Sequence, residues 1–596
     1  MKRYKYIAII SLCLGVMSLQ SCLDFDDPTD DFRPEDLNIK EQVLAGTPDH
    51  IDYKAEFTED KVDLAIEQLK NYFGMMKTAQ YCMRGGKEGN HPVSHAYQRH
   101  YTLADVYAQY SVVPHHDFAY ASELISSYQV SPDWNTGADG LFAGSRPGLT
   151  PMLNHQASDT IPEIKAIALL LFNYAAIENI DMYGTTSYTD FKNNKEESPF
   201  KYEDMKSIYY KVEENIDTIV NCMRYFPNKP AWYQDKVLAI INDMNEITRD
   251  KKNGVKDLET WARFANSLKL RMAMHIVKVE PETAKKWAED AVQSGVIDDL
   301  KYEISLLPSE FGGVHPLVEI SESWNDIRLS ASFVSLTKSL QHPYARVLFL
   351  KNSANLADET KINVPAESEV IGIRSGVHTG KGQQAESNQF IGFSRIRKQM
   401  ISYAPLYLFK MAEIDFLRAE GALRGWNMGG TAETFYNRGI DNSSIFEPGT
   451  RDAERMGQLL QRYKMVASAT PYTYVDPTGQ SEPIESVTKI GVQWNEGDSR
   501  EVKLEKIITQ KFIAIFPNST EAWGERRRTG YPKMFPVLNV EEGDGSLKQG
   551  DLVRRMLFPH NDDASLKDIK DTGLKALGGP DKQATRVWWD VEKDNF

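Results

Sequence analysis

Apolar residues recur along this chain at three-to-four spacing over several long stretches, a period that belongs to helices with one buried face. The first stripe is Val62, Ile66, Leu69, Phe73 and Met76. Gly85, Gly86 and Gly89 then open a loop. Ala166 to Phe172 is apolar on all faces, which predicts a helix at the centre of the core. Thr160-x-x-Glu163 ahead of it has the form of a capping box, with Pro162 in the first turn where a missing N–H costs nothing. Asn173, Glu178, Asn179 and Asp181 end that run too soon for a bilayer span. Met205, Ile208, Val212, Ile216, Ile219 and Met223 make another one-sided stripe, as do Trp261, Ala265, Leu268, Met272 and Ile276. A shorter helix is predicted from about Thr283 to Gln293, with Gly295 as its stop. Connections between these helices are short, so neighbours are expected to pack antiparallel, as in stacked helix pairs. No strict repeat of about 34 residues accompanies them.

Between about Leu300 and Ser402 the helical period weakens while Gly, Ser, Asn and Pro become frequent, which predicts loops and short strands. Helix returns at Leu406 to Leu423, closed by Gly425, and at about Ala432 to Arg438, with Gly439 following. After a gap rich in Thr, Ser, Pro and Gly, Val502 to Phe516 is the last long helix, and the chain beyond Pro532 reads as irregular. The N-terminus has a different pattern. Lys2, Arg3 and Lys5 precede a short apolar run, Ile7 to Leu19, as in a secretory leader. Leu19-Gln20-Ser21-Cys22 resembles a bacterial lipobox, which implies cleavage before Cys22 and acylation of that cysteine; an ordinary leader with an incidental Cys22 is the competing reading. The acidic, aperiodic stretch from Leu23 to about Ile51 reads as a solvated tether. The expected layout is a leader over 1–21, a lipidated tether over 22–51 and one mainly α-helical domain over 52–596.

Composition narrows the function. Loss of the three positive leader charges takes the formal net charge from −15 to −18, which argues against nucleic acid as a partner. Hydrophobic content of 41% supports an ordinary globular core rather than disorder. Only Cys82 and Cys222 remain beside the lipidation candidate, so one disulfide at most is available and the fold does not rest on such bonds.

Glu505 to Pro532, reading EKIITQKFIAIFPNSTEAWGERRRTGYP, resembles the C-terminal signature of the SusD/RagB family of surface nutrient-binding lipoproteins. Three further stretches stand in the family's order: Thr260 to Ile276, Phe409 to Trp426 and Phe435 to Ser443. The resemblance implies a SusD-like, mainly α fold with tetratricopeptide-like helix pairs and a loop-rich ligand-binding part. It implies an outer-membrane, cell-surface location through a lipid anchor in a Gram-negative bacterium, and a partner, a SusC-like TonB-dependent outer-membrane barrel. The function implied is non-catalytic capture of oligosaccharide or glycan for import, with peptide binding on the RagB side of the family as the alternative. Physically the signature residues read as framework. Phe409, Ala412, Phe416, Ala419 and Leu423 make a core stripe around Arg418 and Glu420, and Glu521 with Arg526, Arg527 and Arg528 near Trp523 is expected to pin a loop.

His91, His95, His100, His115 and His116 cluster within 26 residues. His91-x3-His95 has a metal-compatible spacing, but Pro92 disfavours a helix through His91 and no Glu follows as in HExxH. A metal-dependent hydrolase is therefore the third reading, and no cofactor is expected. Gly376 to Gly382 resembles a phosphate loop only superficially, since Ser375 stands where its first glycine belongs, and it reads as a surface loop. Asp133 to Gly140 lacks the bidentate Glu of a calcium loop and reads as a turn. Sugar rings stack their C–H faces on flat aromatic rings while their hydroxyls need polar partners. That mixture occurs around Trp134, around Trp324 with Asn325, Asp326 and Arg328, and over Tyr81 to Tyr97 with Arg84, Asn90, His95 and Tyr97. The candidate ligand residues are accordingly Arg84, His95, Tyr97, Trp134, Trp324, Asn325 and Arg328.

Overall fold

The computed structural model describes residues 47–89, 91–116, 125–130, 140–249, 253–352, 369–383, 388–559 and 562–596. Cys22, the leader and most of the tether lie outside the described residues, as do Asn90 and Trp134. The first stripe forms α1 (Glu59–Cys82), with Val62, Leu69, Phe73 and Met76 buried and Ile66 partly covered. The glycine-bearing stretch after it is a hairpin rather than a loop: β1 (Gly86–Glu88) pairs antiparallel with β2 (His91–Val93) through a turn in which Gly89 takes a positive φ of 56°. Helix α2 (Ser94–Ala108) follows directly, and β3 is Ser111–Val112.

Helices α3 (Gly140–Asn154) and α4 (Pro162–Tyr183) come next. Every residue of α4 except Asp181 is buried, as expected of a helix with apolar residues all round. Its start differs from the capping-box expectation. Ile161 is the N-cap, Thr160 ends a preceding 3-10 turn, and the buried Glu163 carboxylate accepts the Tyr233 hydroxyl at 2.6 Å. Then follow α5 (Met205–Tyr225), α6 (Ala231–Met244), α7 (Glu259–His275) and α8 (Pro281–Ser294), the last stopped at Gly295 with φ 103°. Packing runs from α1 to α3, α3 to α4, α4 to α5, α5 to α7 and α7 to α8.

The weakly helical middle contains β4 (Ile304–Leu306), β5 (Arg328–Leu329), α9 (Ala331–Ser339) and β6 (Leu406–Phe409). Strand β5 pairs with β3, and β6 pairs with β4, so Leu406 to Phe409 is strand and not the first turn of the following helix. That helix, α10, spans Met411–Leu423. It packs on α11 (Ala432–Asp441), where Gly439 lies inside the helix against the Phe416 ring; a Cβ there would meet that ring at 2.7 Å, so the glycine is needed for close approach rather than as a stop. Helices α12 (Arg451–Tyr463), α13 (Arg500–Ala514) and α14 (Ser519–Thr529) complete the main set. Gly376 to Gly382 is partly interior: Val377 packs with Ile371, Ile373, Phe390 and Phe535 in a second apolar cluster. Among the described residues no helix is long and apolar enough to cross a membrane.

The family-like C-terminal stretch is a buried helix, not the pinned loop expected from its charges. Arg528 donates to Glu420 at 2.8 and 2.6 Å and to Glu525 at 2.5 Å. Lys511 reaches Glu525 at 2.8 Å and Glu521 at 2.5 Å, and Arg271 reaches Glu413 at 2.7 and 2.9 Å. These three cations are matched by carboxylates where they are buried, while Arg526 and Arg527 of the same helix donate to backbone carbonyls, of Tyr107 at 3.0 Å and of Arg554 and Asp181 at 2.8 Å. Cys82 and Cys222 are free and buried, and burial pushes the Cys82 thiol up to about 11.

Candidate functional site

An open groove of about 830 Å³ lies where the β1–β2 hairpin and the first turn of α2 face the segment 308–324. Strand β2 runs straight into α2 through Val93, whose extended backbone (φ −94°, ψ 131°) puts His91 on the strand and His95 in the first helical turn. Across the groove a short π turn, Glu319–Ser323, ends at Trp324, whose N–H donates to the Glu319 carbonyl at 3.0 Å. Asn325 then takes a left-handed φ of 61°, a conformation that asparagine tolerates better than most side chains. This geometry lays Trp324 against exposed His95 with ring centroids 4.5 Å apart and planes 28° from parallel. The exposed His95 ring thus lies over one face of half-buried Trp324, and the two stand as an aromatic stack on the groove.

Tyr403 and Val314 also line the groove, with 62% and 44% of their surfaces exposed. Only six large hydrophobic side chains among the described residues are so exposed, and two of them are here. Such exposure leaves apolar surface on the groove open to a ligand. Ser94, Ser309, Ser323, Glu88 and Glu319 supply polar atoms around these rings. A second hollow, of about 420 Å³, lies near Arg249, Lys301 and Glu447 but has no aromatic lining.

Beneath the stack lies a buried polar layer. Asp326 accepts from the Gln98 side-chain amide, lies 2.8 Å from His115 Nε2 and accepts from Gln383 at 3.2 Å. Gln98 is on α2 three residues after His95, so this contact ties the helix bearing His95 to the loop bearing Trp324. Arg328 lies under the same loop and donates to the carbonyls of Ser321 at 3.2 Å, Ile327 at 2.7 Å and Ile391 at 2.8 Å, and to Asn325 Oδ1 at 2.7 Å. The loop is thus wrapped around a guanidinium. Burial pushes Arg328 down to about 9.

Of the residues expected to contact ligand, His95 and Trp324 line the groove and Asn325 adjoins them, half-buried with its side chain committed to Arg328 and to the Gln383 carbonyl at 3.1 Å. Three expectations are corrected. Arg328 is buried and holds the loop from below rather than facing solvent. Arg84 is buried, donating to Tyr174 at 2.7 Å, Tyr101 at 3.0 Å and the Tyr407 carbonyl at 2.8 Å. Tyr97 is buried against Tyr101 and His315. Arg84, Tyr97 and Tyr101 border a void of about 20 Å³, space for a water and not for a sugar ring. Trp134 lies outside the described residues. Sequence reasoning missed Tyr403, Val314 and the 308–313 turn, which carry no local signal and reach the groove only through the β4–β6 pairing.

The histidine cluster divides. His91 and His95 lie on the groove, whereas His100 and His115 are buried. The metal-like spacing among the described residues is elsewhere, at His275, Glu521 and Glu525. There the Lys511 ammonium bridges both carboxylates, with Arg528 on Glu525 and Arg271 3.7 Å from Glu521, so their charge is already balanced. Burial works to lower His275, but Glu521 and Asp181 outweigh it and raise it to about 9.

The chain matches the family model described as SusD-like, Susd and RagB outer membrane lipoprotein, over residues 52–590. Among solved structures it is similar to a chitin-binding SusD homologue from Flavobacterium johnsoniae, at 29% identity, covering 89% of this chain and 100% of that one with a TM-score of 0.73. It is also similar to a SusD homologue from Bacteroides vulgatus (24% identity, 89% and 100% covered, TM-score 0.73) and to one from Bacteroides ovatus (25% identity, 88% and 100% covered, TM-score 0.69). No curated protein matches the chain.

Proposed function

Because this chain belongs to the SusD-like family of outer-membrane lipoproteins, we propose that it is a non-catalytic binding protein that captures oligosaccharides in the His95–Trp324 groove and passes them to a SusC-like TonB-dependent barrel. The single observation that carries the reading is the stack of exposed His95 on half-buried Trp324 at the groove, with exposed Tyr403 and hydroxyls around it. A pyranose presents an apolar face to such a stack and its hydroxyls to the polar rim. The chitin-binding relative makes N-acetylglucosamine oligomers the first ligands to try. In this reading residues 1–21 are removed, Cys22 carries the acyl chains, the tether spans the short distance from the membrane, and residues 52–596 act as one binding domain at the cell surface. Several acyl chains make the anchor durable where one would not.

Calorimetric titration of the mature chain against neutral oligosaccharides, with an oligopeptide pool in parallel, tests this. Saturable sugar binding with a silent peptide pool is expected. Peptide binding without a sugar response moves the function to the RagB-like alternative, and turnover of any oligomer contradicts the non-catalytic assignment.

A further inference from the structure

The charges on the groove point to the class of sugar it takes, an inference that rests on the glycan reading above. No lysine or arginine lines the groove among the described residues, and its two carboxylates, Glu88 and Glu319, are exposed and engaged in no ion pair with another described residue. The contrast with the same π turn is informative. Glu322, three residues after Glu319, turns away and is neutralised by Arg395 at 2.9 Å. The two acids on the groove, in contrast to Glu322, are left open to solvent. The net charge of −15 adds a field of the same sign.

A sugar stacked flat on the His95–Trp324 pair keeps its equatorial substituents in the plane of the ring, so they point at the groove walls and not at the aromatic rings. A C2 ammonium would then face the rim where the carboxylates lie, and a C6 carboxylate or a sulfate would face the same rim with the wrong sign. We propose that the groove selects glycans carrying positively charged amino sugars, as in de-N-acetylated stretches of an N-acetylglucosamine polymer, and discriminates against uronates and sulfated glycans. An exposed ion contact changes affinity roughly two- to five-fold. Two of them acting together give about ten-fold.

The test is calorimetric titration of the full mature chain at about pH 6, above the ordinary carboxylate range and low enough to charge a sugar amine, which its neighbouring oxygens make less basic than a lysine, with three hexamers: N-acetylglucosamine, glucosamine and galacturonate. The glucosamine hexamer is expected to bind about ten-fold tighter than the neutral one in low salt, and the galacturonate hexamer weakest. In about 0.5 M salt the advantage is expected to collapse, because screening then acts over a few ångströms. The double variant Glu88→Gln with Glu319→Gln, which keeps hydrogen-bonding atoms at both positions and removes only their charge, is expected to bring the ratio of glucosamine-hexamer to neutral-hexamer affinity close to one. Neutral and cationic hexamers binding equally, galacturonate binding as tightly as either, or an advantage that survives the double substitution overturns the charge selection while leaving glycan binding in place. Silence from all three hexamers overturns both.

Discussion

Charge is used in opposite ways at the α13–α14 framework and at the groove. Around α14 the acids Glu420, Glu521 and Glu525 are buried and matched by Arg528, Arg424 and Lys511 within hydrogen-bond distance. On the groove Glu88 and Glu319 are exposed and unmatched by any described residue. The first arrangement fixes how helices far apart in sequence meet, and leaves no donor for a ligand. The second leaves its polar atoms and its aromatic face to solvent. A stretch that identifies a family by its charged residues can thus consist of framework, with those charges spent on the protein's own interior.

The comparison breaks most visibly in the framework. Replacing Arg528 by Met strands Glu420 and Glu525 beside their remaining cations, and removal of one partner from a buried ion pair costs about 3–5 kcal/mol. Urea denaturation of Arg528→Met is expected to show a loss of that size, with the affinity of the remaining folded protein for oligosaccharide unchanged. A pH series probes the same region more gently. His275 lies 3.2 Å from both Asp181 and Glu521 and is raised to about 9 against an ordinary value of 6.5. Its protonated form is bound more tightly by the folded state, so its contribution is complete below about pH 6.5 and lost as pH rises through about 9, at roughly 1.4 kcal/mol per pH unit. On the acid side Glu420, which Arg528 and Arg424 hold down at about 2 against the opposing effect of burial, contributes above about pH 4.5 and loses that contribution as pH falls toward 2. Thermal unfolding across this range is expected to give a plateau between the two limbs.

Arg328 belongs to both regions, since its side chain is framework and its bonds hold the loop that carries Trp324. Arg328→Met leaves the carbonyls of Ser321, Ile327 and Ile391 without their donor, and is expected to lower stability by about 2 kcal/mol. It also frees the Trp324 loop, so oligosaccharide affinity is expected to fall about ten-fold in the fraction that remains folded, in contrast to Arg528→Met. Trp324→Ala is expected to remove about 1–2 kcal/mol of binding with a shift in midpoint of a degree or two. His95→Ala removes only the outer ring, and about 0.5–1 kcal/mol of binding with it, measured by the same titration.

Much of the fold was legible because its long helices keep strict apolar spacing, as in α1, α5 and α7, and because α4 is apolar on every face. Boundaries failed where tertiary pairing decides them: nothing local distinguishes Leu406 to Phe409 from helix until Ile304 to Leu306 lies beside it. The site was legible only in part. Trp324 and His95 stood out as ring and polar group in stretches with weak period. Arg84 and Arg328 were misread because a charge among polar neighbours suggests solvent, yet Arg84 directly follows buried Tyr81, Cys82 and Met83, and Arg328 sits between buried Ile327 and Leu329. Those flanking residues were the available sign that each guanidinium points into the protein. Tyr403 had no such sign, because its exposure depends on how far apart segments meet.

The most direct test of the account is a crystal structure of the mature chain with an oligosaccharide that binds it. A sugar ring is expected to lie on the His95–Trp324 stack at about 4 Å, with its hydroxyls on the Ser94, Ser309 and Ser323 side of the groove. A ligand seated elsewhere on the molecule while this groove holds only solvent would contradict it.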